Sequence, residues 1–143
     1  MARRMPSRFE LWAWSRVIAY RIGLTLAYGW AIFIGVNAFF AGIPIFRLTA
    51  PDGWAQGWAV VVILGAIVAT VGTFKDERKY EIVEMVGASA LFALFLSYGV
   101  LLLFAAYFGG DADRATVGAF VLGAGVSPGV RVAWLISQLG LRK

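Results

Sequence analysis

The sequence predicts an all-α membrane protein with four transmembrane helices and a short N-terminal interfacial helix, and three observations lead to this fold class. The 143 residues are 61% hydrophobic and only 15% charged, whereas about a quarter of the residues in an ordinary soluble domain are charged. The charged residues also leave four long apolar stretches. Each stretch is long enough to cross a hydrocarbon core about 30 Å thick. We therefore expect residues 1–143 to form a single polytopic membrane domain.

The first element is a short helix expected over residues 7–16. Ser7 and Glu10 have the spacing of a capping box, which marks a helix start. Aromatic and basic side chains alternate after Ser7, as in a helix that lies in the headgroup region of a bilayer. Trp12 and Trp14 are the expected interface anchors of this helix.

The first hairpin is expected to contain spans one and two. Span one covers about residues 18–41, and its last twenty residues have no charge, which corresponds to about 30 Å of helix. A loop over residues 42–57 follows, with Gly-Ile-Pro and Pro-Asp-Gly as turn signals. It contains Trp54 and leads to Trp58, and both are expected to be anchors at the membrane boundary. Span two covers about residues 58–74.

The second hairpin is expected to contain spans three and four. The polar run at residues 75–79 makes a tight turn before span three, which covers about residues 82–108. A glycine and aspartate turn at 109–113 precedes span four, at about 115–136. We expect Pro128 to kink span four, because proline removes one backbone hydrogen bond and clashes with the preceding turn.

The distribution of basic residues predicts the orientation. Eleven of the 13 lysines and arginines lie in the N-terminal segment, in the turn between spans two and three, or at the C-terminal end. With four spans these regions share one side of the membrane, and only Arg47 and Arg114 lie on the other. The positive-inside rule then places both termini in the cytoplasm, which for a bacterial protein means the inner membrane.

All four spans have small residues at every fourth position. Because small side chains let helix backbones approach closely in lipid, we expect these rows to be helix-packing faces. They serve either to pack the four helices of one monomer or to build a homo-oligomer, and the sequence leaves both open. The rows consist of Gly23, Ala27, Ala31 and Gly35; Gly65 and Ala69; Ser89, Ala93 and Ser97; and Ala119, Gly123 and Ser127.

An ionic cluster is expected at the cytoplasmic ends of the helices. Arg21 lies near the start of span one, Glu81 and Glu84 near the start of span three, and Arg131 near the end of span four. Because unpaired charges inside the hydrocarbon are costly, we expect one of the glutamates to pair with one of the arginines. Such a cluster is either a structural clamp or, as the alternative, a gate or ion site.

The composition excludes several function classes. The chain has no Cys and no His, so we expect no disulfide, thiol chemistry, imidazole base or zinc finger. We expect no enzyme activity, no cofactor and no metal site, because no catalytic or metal-binding constellation is visible. We attribute the net charge of +5 to basic residues that set the orientation in the membrane. We therefore expect the lipid bilayer as a partner and no nucleic acid.

The chain as a whole resembles the small four-span membrane proteins encoded by tailed phages of actinobacteria. The resemblance lies in four segments: residues 20–28, the loop at 42–51, the Gly-Thr-Phe-Lys turn at 72–75 and the Ser-Pro-Gly-Val-Arg segment at 127–131. It covers about residues 17–136. These are packing and topology features, and some proteins of this kind are proposed to be holins. The resemblance therefore implies a phage context more than a mechanism.

Three functional hypotheses follow. The first is a holin-like phage protein that oligomerises and permeabilises the inner membrane during lysis, although no span has a strongly hydrophilic face. The second is a non-enzymatic membrane interaction module, for superinfection exclusion or phage defence, that contacts an envelope or membrane protein through the loop at 42–57. The third is a small channel or transporter, but no acidic or basic residue reaches the expected middle of a span, which weakens a proton-coupled mechanism.

Overall fold

The computed structural model describes residues 8–43, 51–74, 77–110 and 112–141. Four helices follow one another in this part of the chain, and each contains a segment long and apolar enough to cross a membrane. The predicted fold class, an all-α protein with four membrane-spanning helices, is confirmed. The helices are α1 (Arg8–Ala41), α2 (Trp54–Thr73), α3 (Arg78–Gly109) and α4 (Ala112–Leu141).

The separate N-terminal helix predicted over residues 7–16 is not seen. Residues 8–16 form the first turns of α1, which continues without interruption for 34 residues. Its length at 1.5 Å per residue is about 50 Å, which exceeds the thickness of a hydrocarbon core. No glycine or proline lies between Arg8 and Ile22, so nothing in this segment breaks the helix.

The other helices begin before the predicted spans. Helix α2 begins at Trp54, α3 at Arg78 and α4 at Ala112, about one turn before the predicted starts at 58, 82 and 115. Hydropathy marks where a segment enters lipid, whereas the helix continues into the polar flank to satisfy its backbone hydrogen bonds. Gly110 ends α3 with a positive φ of 64°, and its N–H donates to the carbonyl of Ala106.

Large apolar side chains cover the outside of the bundle. Leu26, Phe40, Phe104 and Phe120 are all more than 60% exposed. Soluble proteins rarely expose an apolar surface of this extent to water, whereas the hydrocarbon of a bilayer covers such a surface favourably.

The helices pack in the order in which they occur along the chain, α1 on α2, α2 on α3 and α3 on α4. The buried residues of α1, from Leu24 to Ala38, follow one another in steps of three and four, which keeps them on one face of the helix. A row spaced strictly by four residues turns about 40° with each step. For this reason the predicted row on α1 leaves the interface, with Gly23 exposed and Gly35 buried against Ile63 of α2.

Helices α2 and α3 are in direct backbone contact. A Cβ atom added to Gly87 of α3 would overlap the backbone of Ala69 and Gly65 on α2. Likewise, a Cβ atom on Gly72 of α2 would overlap the backbone of Glu84 on α3. Close packing through residues without bulk is the usual way in which helices associate in lipid.

The interface between α3 and α4 uses glycines outside the predicted rows. A Cβ atom on Gly118 of α4 would lie 3.1 Å from Leu102 Cβ and 3.2 Å from the Gly99 carbonyl oxygen. Gly125 and Gly129 pack against Phe95 and Phe92 in the same way. The predicted rows on α3 and α4 lie mostly outside this interface. Ser89 is half-buried, and the other members are exposed: Ala93, Ser97, Ala119, Gly123 and Ser127.

The structure corrects the role predicted for Trp58. Its side chain is only 8% exposed, and its ring centroid lies 5.3 Å from that of Tyr98 and 6.3 Å from that of Phe95. It is a core residue of the bundle, because its partners on α3 cover it, rather than an anchor among headgroups. Trp54 is 57% exposed. The side chains of Trp12 and Trp14 lie outside the described part.

Candidate functional site

Glu84 is the most deeply buried charged residue in the described part of the chain. It lies on α3 six residues after the helix start at Arg78, a distance of about 9 Å along the axis. Only 1% of the residue is exposed. An ionised carboxylate in such a place is stable only when it is paired and hydrogen-bonded.

Arg131 of α4 supplies the opposite charge. Its Nε donates to Oε1 of Glu84 at 2.6 Å, and its Nη2 donates to Oε2 at 2.6 Å. The two parallel bonds form a bidentate pair, the strongest geometry between arginine and a carboxylate. The Arg131 side chain is 11% exposed, so the other helices shield most of the pair from solvent and lipid.

Two tyrosines of α1 complete the site. The buried Tyr28 hydroxyl donates to Oε1 of Glu84 at 3.3 Å. The Tyr20 hydroxyl accepts a hydrogen bond from Nη1 of Arg131 at 3.4 Å, and the Arg131 guanidinium lies 5.4 Å from the Tyr20 ring centroid. The guanidinium also lies 4.4 Å from the ring centroid of Trp134 on its own helix. Both ring contacts have the geometry of cation–π interactions.

All four helices therefore meet at Glu84. Helix α4 contributes Arg131, α1 contributes Tyr28, and α2 contributes Gly72, which packs on the backbone of Glu84. Both carboxylate oxygens are bonded, and the pair carries no net charge. This geometry can hold helices together, whereas a general acid, a general base or a cation site would need a carboxylate oxygen open to a ligand.

The structure joins Glu84 and Arg131 of the predicted ionic cluster. Glu81 lies one turn earlier on α3 and is 9% exposed. Arg21 is half-buried on α1. Both Glu81 and Arg21 have interactions of their own.

Sequence reasoning did not assign Tyr20, Tyr28, Trp134 or Gly72 to this site. One signal for Tyr28 was available, because a tyrosine hydroxyl in an apolar span requires a hydrogen-bond partner. The contacts of Gly72 and Trp134 have no such signal, since they depend on which helices become neighbours.

Most small polar side chains of the helices bond to their own backbone. In each case the hydroxyl or amide donates to a carbonyl oxygen three or four residues earlier, a local pattern typical of Ser and Thr in membrane helices. They therefore do not form a polar column along a helix. These side chains are Thr25, Asn37, Thr70, Thr73, Ser97, Thr116 and Ser137.

An open apolar groove of about 820 Å³ lies where α3 ends and α4 begins, away from the ion pair. Its walls include Val100, Phe104 and Tyr107 of α3 and Ala115 of α4. None of the described residues that line it has an acidic, basic or amide side chain, so this lining has the character of a lipid-facing surface. Among the described residues, no group of three or more acidic side chains comes together to hold a metal ion.

Comparisons of this chain with protein-family models, with curated proteins and with solved structures find no match.

Proposed function

We propose that this chain is a non-enzymatic, holin-like phage protein that oligomerises in the bacterial inner membrane and permeabilises it during lysis. In this proposal both termini lie in the cytoplasm. The observation that carries the proposal is the position of the predicted small-residue rows on α3 and α4. All members of these rows except the half-buried Ser89 are exposed.

These rows leave smooth faces on the outside of the bundle. Ala93 and Ser97 are exposed on α3, and Ala119, Gly123 and Ser127 are exposed on α4. Among the described residues, no atom outside the neighbouring turns of α4 lies within 4 Å of the position where a Gly123 Cβ atom would be. Helices in lipid associate through such faces, because bulky side chains do not keep the backbones apart. The faces therefore support assembly of several copies.

The polar groups support an assembly rather than a pore through one monomer. Glu84 and Arg131 neutralise each other, and the small polar side chains bond to their own helices. A water-filled path requires polar groups that face it. In the proposal this path forms between copies or at their boundary with lipid.

The two alternative functions have less support. A channel or transporter site at Glu84 would need a carboxylate oxygen open to an ion, and both are bonded. An interaction module would bind its partner through the loop at 42–57, most of whose first half lies outside the described residues. A swapped loop distinguishes this module from a lesion former, because only the module depends on the loop sequence.

The test is regulated expression in a bacterial host, with membrane potential and culture density followed over time. Each culture is grown with and without a co-expressed endolysin. The proposal predicts a delayed and abrupt depolarisation, and lysis only when the endolysin is present. Sustained growth with an intact potential, despite confirmed membrane insertion, would overturn the proposal.

A matched pair of variants ties the result to the exposed rows. Gly123→Leu fills the open face of α4, while the neighbouring lipid-facing Phe120→Leu keeps a bulky side chain at a site that already has one. We expect Gly123→Leu to delay or abolish depolarisation at an equal amount of membrane protein. Phe120→Leu should retain the timing of the unmodified chain.

A further inference from the structure

The second half of α4 combines a weak point in the helix with a single polar attachment. We propose that residues 128–141, the C-terminal arm, form a hinged segment that the Glu84–Arg131 ion pair holds closed against α1 and α3. This proposal concerns a movement within one chain and stands independently of the lytic function.

The hinge lies at Pro128. Proline has no backbone N–H, so the carbonyl of Ala124 lacks its helical partner, although α4 stays helical through this point. Gly125 and Gly129 flank the proline, and glycine further reduces the resistance of a helix to bending. Both glycines pack against phenylalanine side chains of α3, so the hinge itself is held in place.

The two halves of α4 are attached to α3 in different ways. Before the hinge, Gly118 lies against the backbone of Gly99, and Leu122 lies against the same glycine. Gly118 brings the two helix backbones together there. Beyond the hinge, the contacts with α3 run through side chains: Gly129 packs against the Phe92 ring, and Leu135 is fully buried.

Arg131 supplies the polar contacts described between the arm and the other helices. Arg131 lies three residues after Pro128 and binds Glu84 of α3 and Tyr20 of α1. Leu135, which is fully buried, adds an apolar contact one turn later. A bidentate pair of this kind is either formed or broken, which makes it suited to hold a two-state element.

The position of the pair gives the Arg131 charge a second place when the pair opens. Glu84 lies about 9 Å from the start of α3, and Arg131 lies ten residues, or about 15 Å, from the end of α4. Both lie toward the same face of the membrane. A long arginine side chain can then direct its charge to the headgroup region when it leaves the carboxylate, while Tyr28 remains bonded to Glu84.

The test measures the position of the arm by electron spin resonance in lipid nanodiscs. The chain has no Cys, so two introduced cysteines carry the only labels. Ile18→Cys with Ser137→Cys reports on the arm, and Phe40→Cys with Thr116→Cys reports on the opposite end of α1 and α4. All four positions are exposed. Labelled protein is diluted with unlabelled chain, so that distances within one copy dominate.

The latch is released with Glu84→Gln and Arg131→Gln together, which removes both charges and leaves none unpaired. We expect the arm distance to broaden and lengthen, while the distance at the opposite end stays unchanged. Adding Pro128→Ala restores the missing backbone bond and should narrow the arm distance again.

Three results would overturn the proposal. The first is an unchanged arm distance in the neutral double variant. The second is equal broadening at both ends, which would mean that α4 moves as a whole. The third is the failure of Pro128→Ala to narrow the distribution. If the double variant does not purify as a folded protein, Glu84→Gln alone replaces it, because the amide ends the ion pair while Arg131 can direct its charge to the headgroup region, and the same results decide.

Discussion

Removal of Arg131 is the most informative perturbation of this fold. Arg131→Ala takes away both bonds to the Glu84 carboxylate and the contact with Tyr20. It leaves Glu84, which is 1% exposed, with a hydrogen bond of 3.3 Å from Tyr28. The variant therefore tests whether the ion pair joins the helices or is incidental to their packing.

The expected loss of stability follows from the burial of the pair. Breaking a buried ion pair on one side costs about 3 to 5 kcal/mol, because the remaining charge has no partner. At 1.36 kcal/mol for each factor of ten, this corresponds to roughly a 10²- to 10⁴-fold shift toward the unfolded state. Removing both charges should cost much less than the sum of the two single variants, because no charge is then unpaired.

The assay is reversible unfolding in mixed micelles, followed by the intrinsic fluorescence of the six tryptophans. The unmodified chain is compared with Arg131→Ala, with Glu84→Gln and with the double variant Glu84→Gln with Arg131→Gln. Arg131→Gln alone completes the double-mutant cycle. Arg78→Ala removes the same type of side chain from an exposed position on α3 and serves as the control. We expect the control to cost less than about 1 kcal/mol, as exposed charges do.

Two results would refute this reasoning. One is a cost for Arg131→Ala that equals the cost for Arg78→Ala. The other is additivity of the single Gln variants in the double variant, because residues in one bonded pair should show a coupling free energy of about 1 to 3 kcal/mol.

Three further predictions test the packing and the orientation. Gly87→Leu should destabilise the fold by about 3 kcal/mol or more in thermal unfolding, because the leucine side chain overlaps the α2 backbone. The control Gly29→Leu, at an open position, should change the stability by less than about 1 kcal/mol. Trp58→Ala should cost about 3 to 5 kcal/mol in the same assay, and a cost below about 1 kcal/mol would contradict its place in the core. In intact cells, a membrane-impermeant maleimide should label Asp52→Cys but not Glu77→Cys, and the reverse pattern would overturn the predicted topology.

The number of helices was predictable because the bilayer imposes a strong constraint. A backbone in lipid must satisfy its own hydrogen bonds, so long uncharged stretches have to be helical. The pairing of a glutamate with an arginine was predictable on the same grounds. The choice of Glu84 as the partner of Arg131 was not, because residues three apart share a helix face and differ only in what lies opposite.

The helix interfaces were less predictable, because they depend on the true period of the helix. Small residues four apart are easy to see, but a contact face recurs on average every 3.6 residues. Gly118, Gly125 and Gly129 follow that period in α4 and pack on α3, while Ala119 and Gly123 turn outward. The role of Trp58 was not predictable for a different reason. Its position near a helix end favoured an interface anchor, but aromatic side chains of α3 lie beside it in the fold.

The most direct test of the proposed assembly is a count of subunits in the bilayer. Single fluorophores are attached to Ser137→Cys, and the photobleaching steps per complex are counted in membranes at low and high protein density. We predict several steps per complex for the unmodified chain at high density, and single steps for Gly123→Leu at the same density. Single steps for the unmodified chain at every density, or unchanged complexes of Gly123→Leu, would contradict assembly through the exposed row of α4.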